Sequence, residues 1–395
     1  MQQSGETYFN RFSDAWPHVT FLTGMIFFSM YSRLLLAPLL VFIQIDLAIG
    51  PADATRLFLP LSIAYATAMV GSGYLAEIFY HRRTIALSAI VLGAGLIMIS
   101  LAHAIWVLYI AVTLVGAGSG LYPPSGVAAL TTLVDDRIRG RAIALHEVGP
   151  NVAFVVAPLA VTIGTTLADW RWVTAVSGAV AIVLGIAFDR HARAGRFAGQ
   201  RPLLGTIGPL IRKPEFWAIA VFFALAASST IGVYSILPTF LVQTRGYAVA
   251  PMNTLLSISR ISGIVVVLIA GVLVDRIGVA RLIAGVFLLT GALTLAIGFL
   301  DGPAMLVVVF LQPLVISAFF PAAVGAMADL GPPHLRNVAV SIIIPGVNVI
   351  SNGVFPAIMG ALTEQGIVET GFVGLGATMV AALALTPFLT HKTAG

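Results

Sequence analysis

An eleven-residue stretch occurs twice in this chain, one half-length apart, and that repetition limits the possible folds more than any other feature. Residues 73–83 read Gly73-Tyr74-Leu75-Ala76-Glu77-Ile78-Phe79-Tyr80-His81-Arg82-Arg83. Residues 271–281 read Gly271-Val272-Leu273-Val274-Asp275-Arg276-Ile277-Gly278-Val279-Ala280-Arg281. Gly73 matches Gly271, Leu75 matches Leu273, Glu77 matches Asp275 and Arg83 matches Arg281, all at an offset of 198 residues. Each copy closes one long apolar run and leads into the next, with an acid at the exit and arginines beyond it. Such a chain has two matched halves, each carrying a charged hinge between its second and third apolar segments.

The apolar runs set the solvent. Hydrophobic residues make up 59% of the chain and charged residues 9%, with a mean hydropathy of +1.01. A soluble protein of 395 residues needs far more charged surface, so most of this chain is solvated by lipid. Twelve runs are long enough to cross a hydrocarbon core of roughly 30 Å as helices. They span about 19–46, 56–79, 84–102, 105–131, 140–165, 171–188, 216–243, 251–274, 281–299, 304–328, 337–362 and 370–389. The expected fold class is an all-α integral membrane protein with two pseudo-symmetric six-helix halves. Residues 1–188 form the first half, 189–214 a cytoplasmic loop and 215–395 the second half.

Residues 1–18 lack a basic, short-cored, cleavable pattern, and the first run is too long for a signal peptide, so it should remain as the first helix. With no cysteine, no disulfide or thiolate metal site is expected. Sixteen of the 21 Lys and Arg residues fall in the termini and even-numbered loops, and only Arg56, Arg171 and Arg245 lie in odd-numbered loops. That asymmetry places both termini in the cytoplasm, and the expected location is the cytoplasmic (inner) membrane. The net charge of +5 is therefore a topology signal. No soluble basic domain is present to bind nucleic acid.

The loop 189–214 is basic, a composition that favours the anionic leaflet. The halves match beyond the hinge: Pro123 pairs with Pro321, and Arg139, Gly149 and Asn151 pair with Arg336, Gly346 and Asn348. The doubled Gly-x-Leu-x-Asp/Glu motif, the twelve-segment plan, the basic central loop and Asp169-Trp170-Arg171-Trp172 resemble the major facilitator superfamily. That resemblance covers nearly the whole chain. It implies transport by alternating access, with a substrate site between the repeats near the midplane and the two motif regions as cytoplasmic latches. Gly73, Glu77, Arg83, Gly271, Asp275, Arg276 and Arg281 are the expected gating residues. The first copy departs from the family pattern: Glu77 replaces Asp, and Phe79-Tyr80 stand where a basic residue and a glycine are usual.

Ionisable groups deep in a membrane helix cost several kcal/mol and are functional candidates. Arg33 lies fourteen residues into the first segment, roughly 20 Å along it. Arg260 lies about nine residues into the eighth, roughly 13 Å from its outer end. Neither has an acid nearby in its own helix: Asp14 is the closest before Arg33, and the eighth segment has none before Asp275. An incoming anion would supply the countercharge, for which the planar guanidinium fork suits carboxylate or phosphate. The plainer reading pairs each arginine with a backbone carbonyl, an acid on another helix or a surface. Tyr31-Ser32-Arg33 is similar to the Tyr-x-Asp-Arg stretch of organic anion–cation symporters, whose first-helix arginine binds the anion. An eighth-helix arginine is similar to that of monocarboxylate and nitrate carriers. Ser32 stands where those symporters often carry a proton-binding Asp.

His146-Glu147 in the fifth segment is the expected replacement for proton coupling. A carboxylic acid withdrawn from water holds its proton more readily, and His146 could relay it. Equally, Glu147 could pair with Arg139, Arg141 or another helix and lock the inward gate. Gly149-Pro150 follow where a zincin would need its second histidine, so no metal site is expected. Gly149-Pro150-Asn151 is also a partial version of a motif in proton-driven exporters. Polar stripes mark further candidate lining: Ser341, Pro345, Asn348 and Asn352 in the eleventh segment, and Ser228, Gly232, Ser235, Thr239 and Gln243 in the seventh, with Tyr234 beside them. Such stripes can also join helices to one another. Pro38, Pro238, Pro345 and Pro356 are expected bending points. Gly116-Ala117-Gly118-Ser119-Gly120 has no strand before it and reads as close helix packing, not as a dinucleotide loop.

The leading expectation is a secondary transporter, monomeric and cofactor-free, that takes up a small anionic solute, most simply a carboxylate, with protons. Arg33, Arg260, Tyr234, Ser235, Asn348 and Asn352 would line its site, and Glu147 and His146 would carry the proton. The competing expectation is a drug/proton antiporter for lipophilic compounds. An enzyme lacks a suitably spaced constellation, and a primary pump lacks a P-loop.

Overall fold

Lipid offers no partners to backbone N–H and C=O groups, so apolar runs must satisfy them internally. The computed structural model describes residues 9–199, 208, 211–328 and 333–389, and those residues form helices and no strand. The first unit contains α1 (Phe12–Leu34), α2 (Leu36–Leu47), α4 (Phe58–Ser100), α5 (Ile105–Leu133), α6 (Asp136–Leu167) and α7 (Trp170–His191), with α3 (Pro51–Arg56) intervening in sequence. The second contains α8 (Pro214–Ala227), α9 (Val233–Thr239), α10 (Val249–Ile277), α11 (Val279–Phe299), α12 (Gly302–Ile316), α13 (Phe319–Ala328), α14 (Pro333–Val349), α15 (Phe355–Glu364) and α16 (Val368–Ala381).

Ten helical stretches among the described residues are long and apolar enough to cross a membrane. One of them, Pro51–Ser100, has 50 residues, about 75 Å at ~1.5 Å per residue, more than twice a hydrocarbon core. It turns at Tyr80, whose φ of 65° and ψ of 156° are not helical, and so makes two crossings. With α10, 29 residues long, the crossings among the described residues number twelve.

Several breaks follow from proline. Pro38 has no N–H for the Leu34 carbonyl, and α1 gives way to α2 at Leu35. Pro356 likewise leaves Asn352 without a donor, and Asn352 lies in a π-helical turn, Ile350–Val354. A second π turn, Phe240–Thr244, begins beyond Pro238, which lies inside α9 without interrupting it. Pro345, an expected bending point, lies inside α14 without interrupting it.

The chain divides into two compact units: residues 1–47 with 60–202, and 48–59 with 203–395. The second thus takes in α3, which packs on α15. Thr55 and Ala54 are fully buried there, and a Cβ on Gly360 would collide with the Thr55 hydroxyl.

Each unit carries the same glycine crossing. A Cβ on Gly93 would sit 2.6 Å from the Gly178 carbonyl, and one on Gly178 2.5 Å from that of Gly93. Gly291 and Gly376, the residues 198 positions further on, meet in the same reciprocal way at 3.0 and 2.6 Å. Small residues let helix backbones approach where lipid provides no hydrophobic drive for association. As expected, Gly116, Gly118 and Gly120 also pack against neighbouring backbone, at Leu61, Leu92 and Tyr65. Around these crossings the first core gathers Val19, Leu22, Tyr122 and Phe188. The second is built on Phe222, Phe287 and Phe319, with ring centres 4.8 and 5.5 Å apart.

Candidate functional site

Arg33 occupies the last turn of α1 and is only 8% exposed. Its guanidinium carbon lies 4.1 Å from the centre of the Tyr65 ring on α4. Nε donates to the Ser29 carbonyl at 3.4 Å, and an Nη reaches Met30 Sδ at 3.0 Å. Among the described residues no carboxylate comes within 4.0 Å of it. Hydroxyls fasten the turn around it: Ser29 donates to the Ser119 carbonyl, Ser32 pairs with the Ser119 hydroxyl, and Tyr31 pairs with Ser177 at 2.9 Å. Ser32, at the position where the symporters carry Asp, adds a hydroxyl and no negative charge. A desolvated cation held by a ring face and a carbonyl retains its demand for an anion.

His146 is the buried member of the adjacent pair, 2% exposed, whereas the Glu147 side chain is 60% exposed. α6 turns His146 into the protein and leaves Glu147 on the helix surface, so neighbouring side chains do not supply the burial expected of Glu147. His146 Nδ1 lies 3.2 Å from Glu147 Oε1, and Nε2 lies 2.8 Å from the Tyr122 hydroxyl. That hydroxyl also lies 2.8 Å from the Leu22 carbonyl on α1. A hydroxyl has one proton, so Tyr122 can donate to Leu22 or to His146, not both. If it donates to Leu22, Nε2 must carry hydrogen, and an added proton then sits between Nδ1 and Oε1. If it donates to Nε2, Nδ1–H faces the carboxylate and histidine is neutral. The two arrangements differ in which nitrogen of His146 carries hydrogen, and only the first leaves Nδ1 open to a further proton shared with Oε1.

Glu147 makes no described ion pair with Arg139 or Arg141; Arg139 pairs with Asp136 instead. Gly149 is accounted for by packing, since a Cβ there would lie 2.8 Å from both the Thr23 carbonyl and Ile26 of α1.

In the second unit Arg260 on α10 is held as Arg33 is. An Nη donates to the Thr230 carbonyl at 3.0 Å, and the guanidinium carbon lies 5.4 Å from the Tyr234 ring centre. Thr230 sits in a π turn, Ser228–Gly232, a local widening that frees a carbonyl to accept from outside the helix. This turn meets the Ile350–Val354 turn closely: a Cβ on Gly232 would lie 2.7 Å from the Ser351 carbonyl. Beside it the Ser235 hydroxyl donates to the Ile231 carbonyl at 2.8 Å, with Asn352 Oδ1 at 3.5 Å as the alternative acceptor. Tyr234, Asn348 and Asn352 are buried, and Asn348 Oδ1 and Asn352 Nδ2 have no hydrogen-bond partner among the described residues. Gln312, which donates to the Ser229 carbonyl at 2.8 Å, was not singled out from sequence. Nor were Tyr65 and Tyr122, because a tyrosine in an apolar run looks like core until its neighbours are known.

Of the hinge residues, Gly73, Glu77 and Arg83 belong to the first unit. The backbone of 195–199 lies along them: Arg82 N–H donates to the Gly195 carbonyl at 2.7 Å, His81 N–H to Phe197 at 3.1 Å, and Gly199 N–H to Ala76 at 3.0 Å. A Cβ on Gly199 would come within 2.9 Å of the Gly73 carbonyl. In the second copy Arg276 and Arg281 are exposed, and the side-chain surroundings of Gly271 and Asp275 lie outside the described residues.

Residues 22–310 match the model of the Major Facilitator Superfamily. The chain belongs to that superfamily. This superfamily member is a multi-pass membrane transporter and not an enzyme. It is similar to the probable sulfoacetate transporter SauU of Cupriavidus necator, 22% identical over 289 residues, which cover 68% of this chain and 67% of that protein. Solved structures share its fold. A point mutant of the peptide transporter POT aligns with a TM-score of 0.79 at 15% identity, over 98% of this chain and 97% of that one. A bacterial homologue of the human lysosomal transporter Spinster, inward-facing and occupied, aligns with a TM-score of 0.75 at 16% identity, over 96% and 97%.

Proposed function

We propose that this superfamily member is a secondary transporter that takes up a small organic anion, a carboxylate or sulfonate, by alternating access together with protons. It would act as a monomer in the inner membrane with both termini in the cytoplasm. The observation that carries the reading is Arg33, a buried guanidinium with no described carboxylate within 4.0 Å. Arg260, held by the same pairing of carbonyl and tyrosine face, would supply a second positive charge. Sulfoacetate, named for the relative in Cupriavidus necator, bears one carboxylate and one sulfonate, so an anion of that class matches two arginines. Asn348 and Asn352 would direct neutral polar groups of the solute, and the hinge residues Gly73, Glu77, Arg83, Gly271, Asp275, Arg276 and Arg281 would act in gating.

The proton would enter at His146 and Glu147. Protonation of that pair directs the Tyr122 hydroxyl to the Leu22 carbonyl of α1, and deprotonation returns it to His146. Charge on α6 is thereby reported to the helix that bears Arg33.

The test is thermal-shift screening of purified protein against sulfoacetate, other organic anions and lipophilic cations, repeated on Arg33→Ala and Arg260→Ala. Stabilisation by one anion class, lost in both variants, supports the reading. Stabilisation by cations alone, or anion binding indifferent to both substitutions, would overturn it in favour of a drug/proton antiporter.

A further inference from the structure

Beside the first hinge lies a cleft of about 330 Å³ lined by Phe79, Tyr80, Arg82, Arg83 and Arg196. A second cavity, about 400 Å³, shares Phe79 and Arg83 and continues along Leu87 and Ile90 of α4 and Ile186 of α7, ending at Asp189 and Arg190. The first is cationic. Arg82 Nε lies 3.6 Å from Asp189 Oδ1, while Arg83 and Arg196 have no ion-pair partner among the described residues. The second is largely apolar, and Phe79 and Leu87 are 43% and 37% exposed on it.

Arg196 is fixed over the cleft by the backbone run that flanks it. The carbonyls of Gly195 and Phe197 accept from Arg82 and His81, and the residue between them is held at the arginine-lined edge. Tyr80 forms one wall in a backbone conformation that is nearly glycine-only. Strain kept at an exposed aromatic, where glycine would relieve it, is a mark of use.

We propose that these joined cavities bind one anionic glycerophospholipid, its phosphate on Arg82, Arg83 and Arg196 and an acyl chain along Leu87, Ile90 and Ile186. A soluble phosphate has the same headgroup chemistry but no use for the second cavity. The two share Phe79 and Arg83, and the apolar one lies between α4 and α7. The phosphate is recognised by charge-assisted hydrogen bonds, and the chain covers side chains otherwise left to bulk lipid. This binding uses none of the residues assigned to the solute or to the proton.

The test is native mass spectrometry of the full chain released from discs of equal parts phosphatidylcholine and phosphatidylglycerol. Wild type should retain phosphatidylglycerol over phosphatidylcholine by several fold. Arg83→Gln with Arg196→Gln should abolish the preference, and Leu87→Gln should weaken retention with the arginines intact. Thermal unfolding confirms that each variant is folded, and Arg196→Gln alone, on an exposed side chain, should still lower the preference if the double variant does not fold. Equal preference in the folded variants overturns the proposal. Displacement by inorganic phosphate or by chain-free glycerophosphoglycerol also overturns it, since the site would then take a soluble anion.

Discussion

Tyr80 and Gly278 stand 198 residues apart and share one backbone conformation: φ 65° and ψ 156° at the first, φ 83° and ψ 157° at the second. The turn between the second and third crossings of each half requires a positive φ. The second half meets it with glycine, at no steric cost, and the first forces an aromatic residue into it.

Tyr80→Gly should therefore stabilise the protein. Relief of strain is worth roughly 1–3 kcal/mol, less the extra freedom that glycine gives the unfolded chain. Gly278→Ala should destabilise by about 1 kcal/mol or more, although a Cβ there meets no neighbour within 4 Å. Thermal unfolding in one lipid mixture measures both, and a Tyr80→Gly protein less stable than wild type would remove the strain argument.

The Tyr65 face should matter to anion binding through Arg33. Tyr65→Phe keeps a ring 4.1 Å from the guanidinium and should bind as wild type does. Tyr65→Leu removes a cation–π contact worth about 0.5–2 kcal/mol, so calorimetric affinity for the anion should fall roughly 2–30-fold. Arg33→Lys should not restore an Arg33→Ala loss, because an ammonium lacks the planar fork.

Tyr122→Phe separates proton coupling from anion binding. It deletes the hydroxyl shared by Leu22 and His146 without touching either arginine. Uptake into proteoliposomes driven by a pH gradient should drop at least tenfold, while equilibrium anion affinity changes less than threefold, the difference being about 1.4 kcal/mol or more at the coupling step. Unchanged gradient-driven uptake would exclude the Tyr122 switch.

The π turns Ser228–Gly232 and Ile350–Val354 leave no room at Gly232. In Gly232→Ala the new methyl would sit 2.6 Å from a Phe355 ring carbon and 2.7 Å from the Ser351 carbonyl. Overpacking of this kind costs typically 1–3 kcal/mol, so the midpoint of thermal unfolding should fall and transport with it. Gly285→Ala, where no atom lies within 4 Å of the added carbon, serves as the neutral control.

Membrane residence, the crossings and the twofold repetition were legible in the residues because hydropathy and helix length are local properties that lipid enforces on each segment separately. Arg33 and Arg260 stood out for the same reason, a charge in an apolar run needing no neighbour to be conspicuous. Their surroundings did not. Tyr65 and Tyr234 meet the arginines from α4 and α9, and nothing in either run marks those tyrosines from others in the core. His146 and Glu147 are consecutive, yet one is buried and the other exposed, because the packing of α6 on α1 decides which side of the helix faces protein. Residues 48–59, which sequence order assigns to the first half, join the second because Thr55 packs at Gly360. The sequence by itself determined the solvent, the number of crossings, the repeat and the charges inside it. Only the tertiary structure decided which groups hold those charges, since those contacts join residues distant in the chain and exist only once the helices have packed.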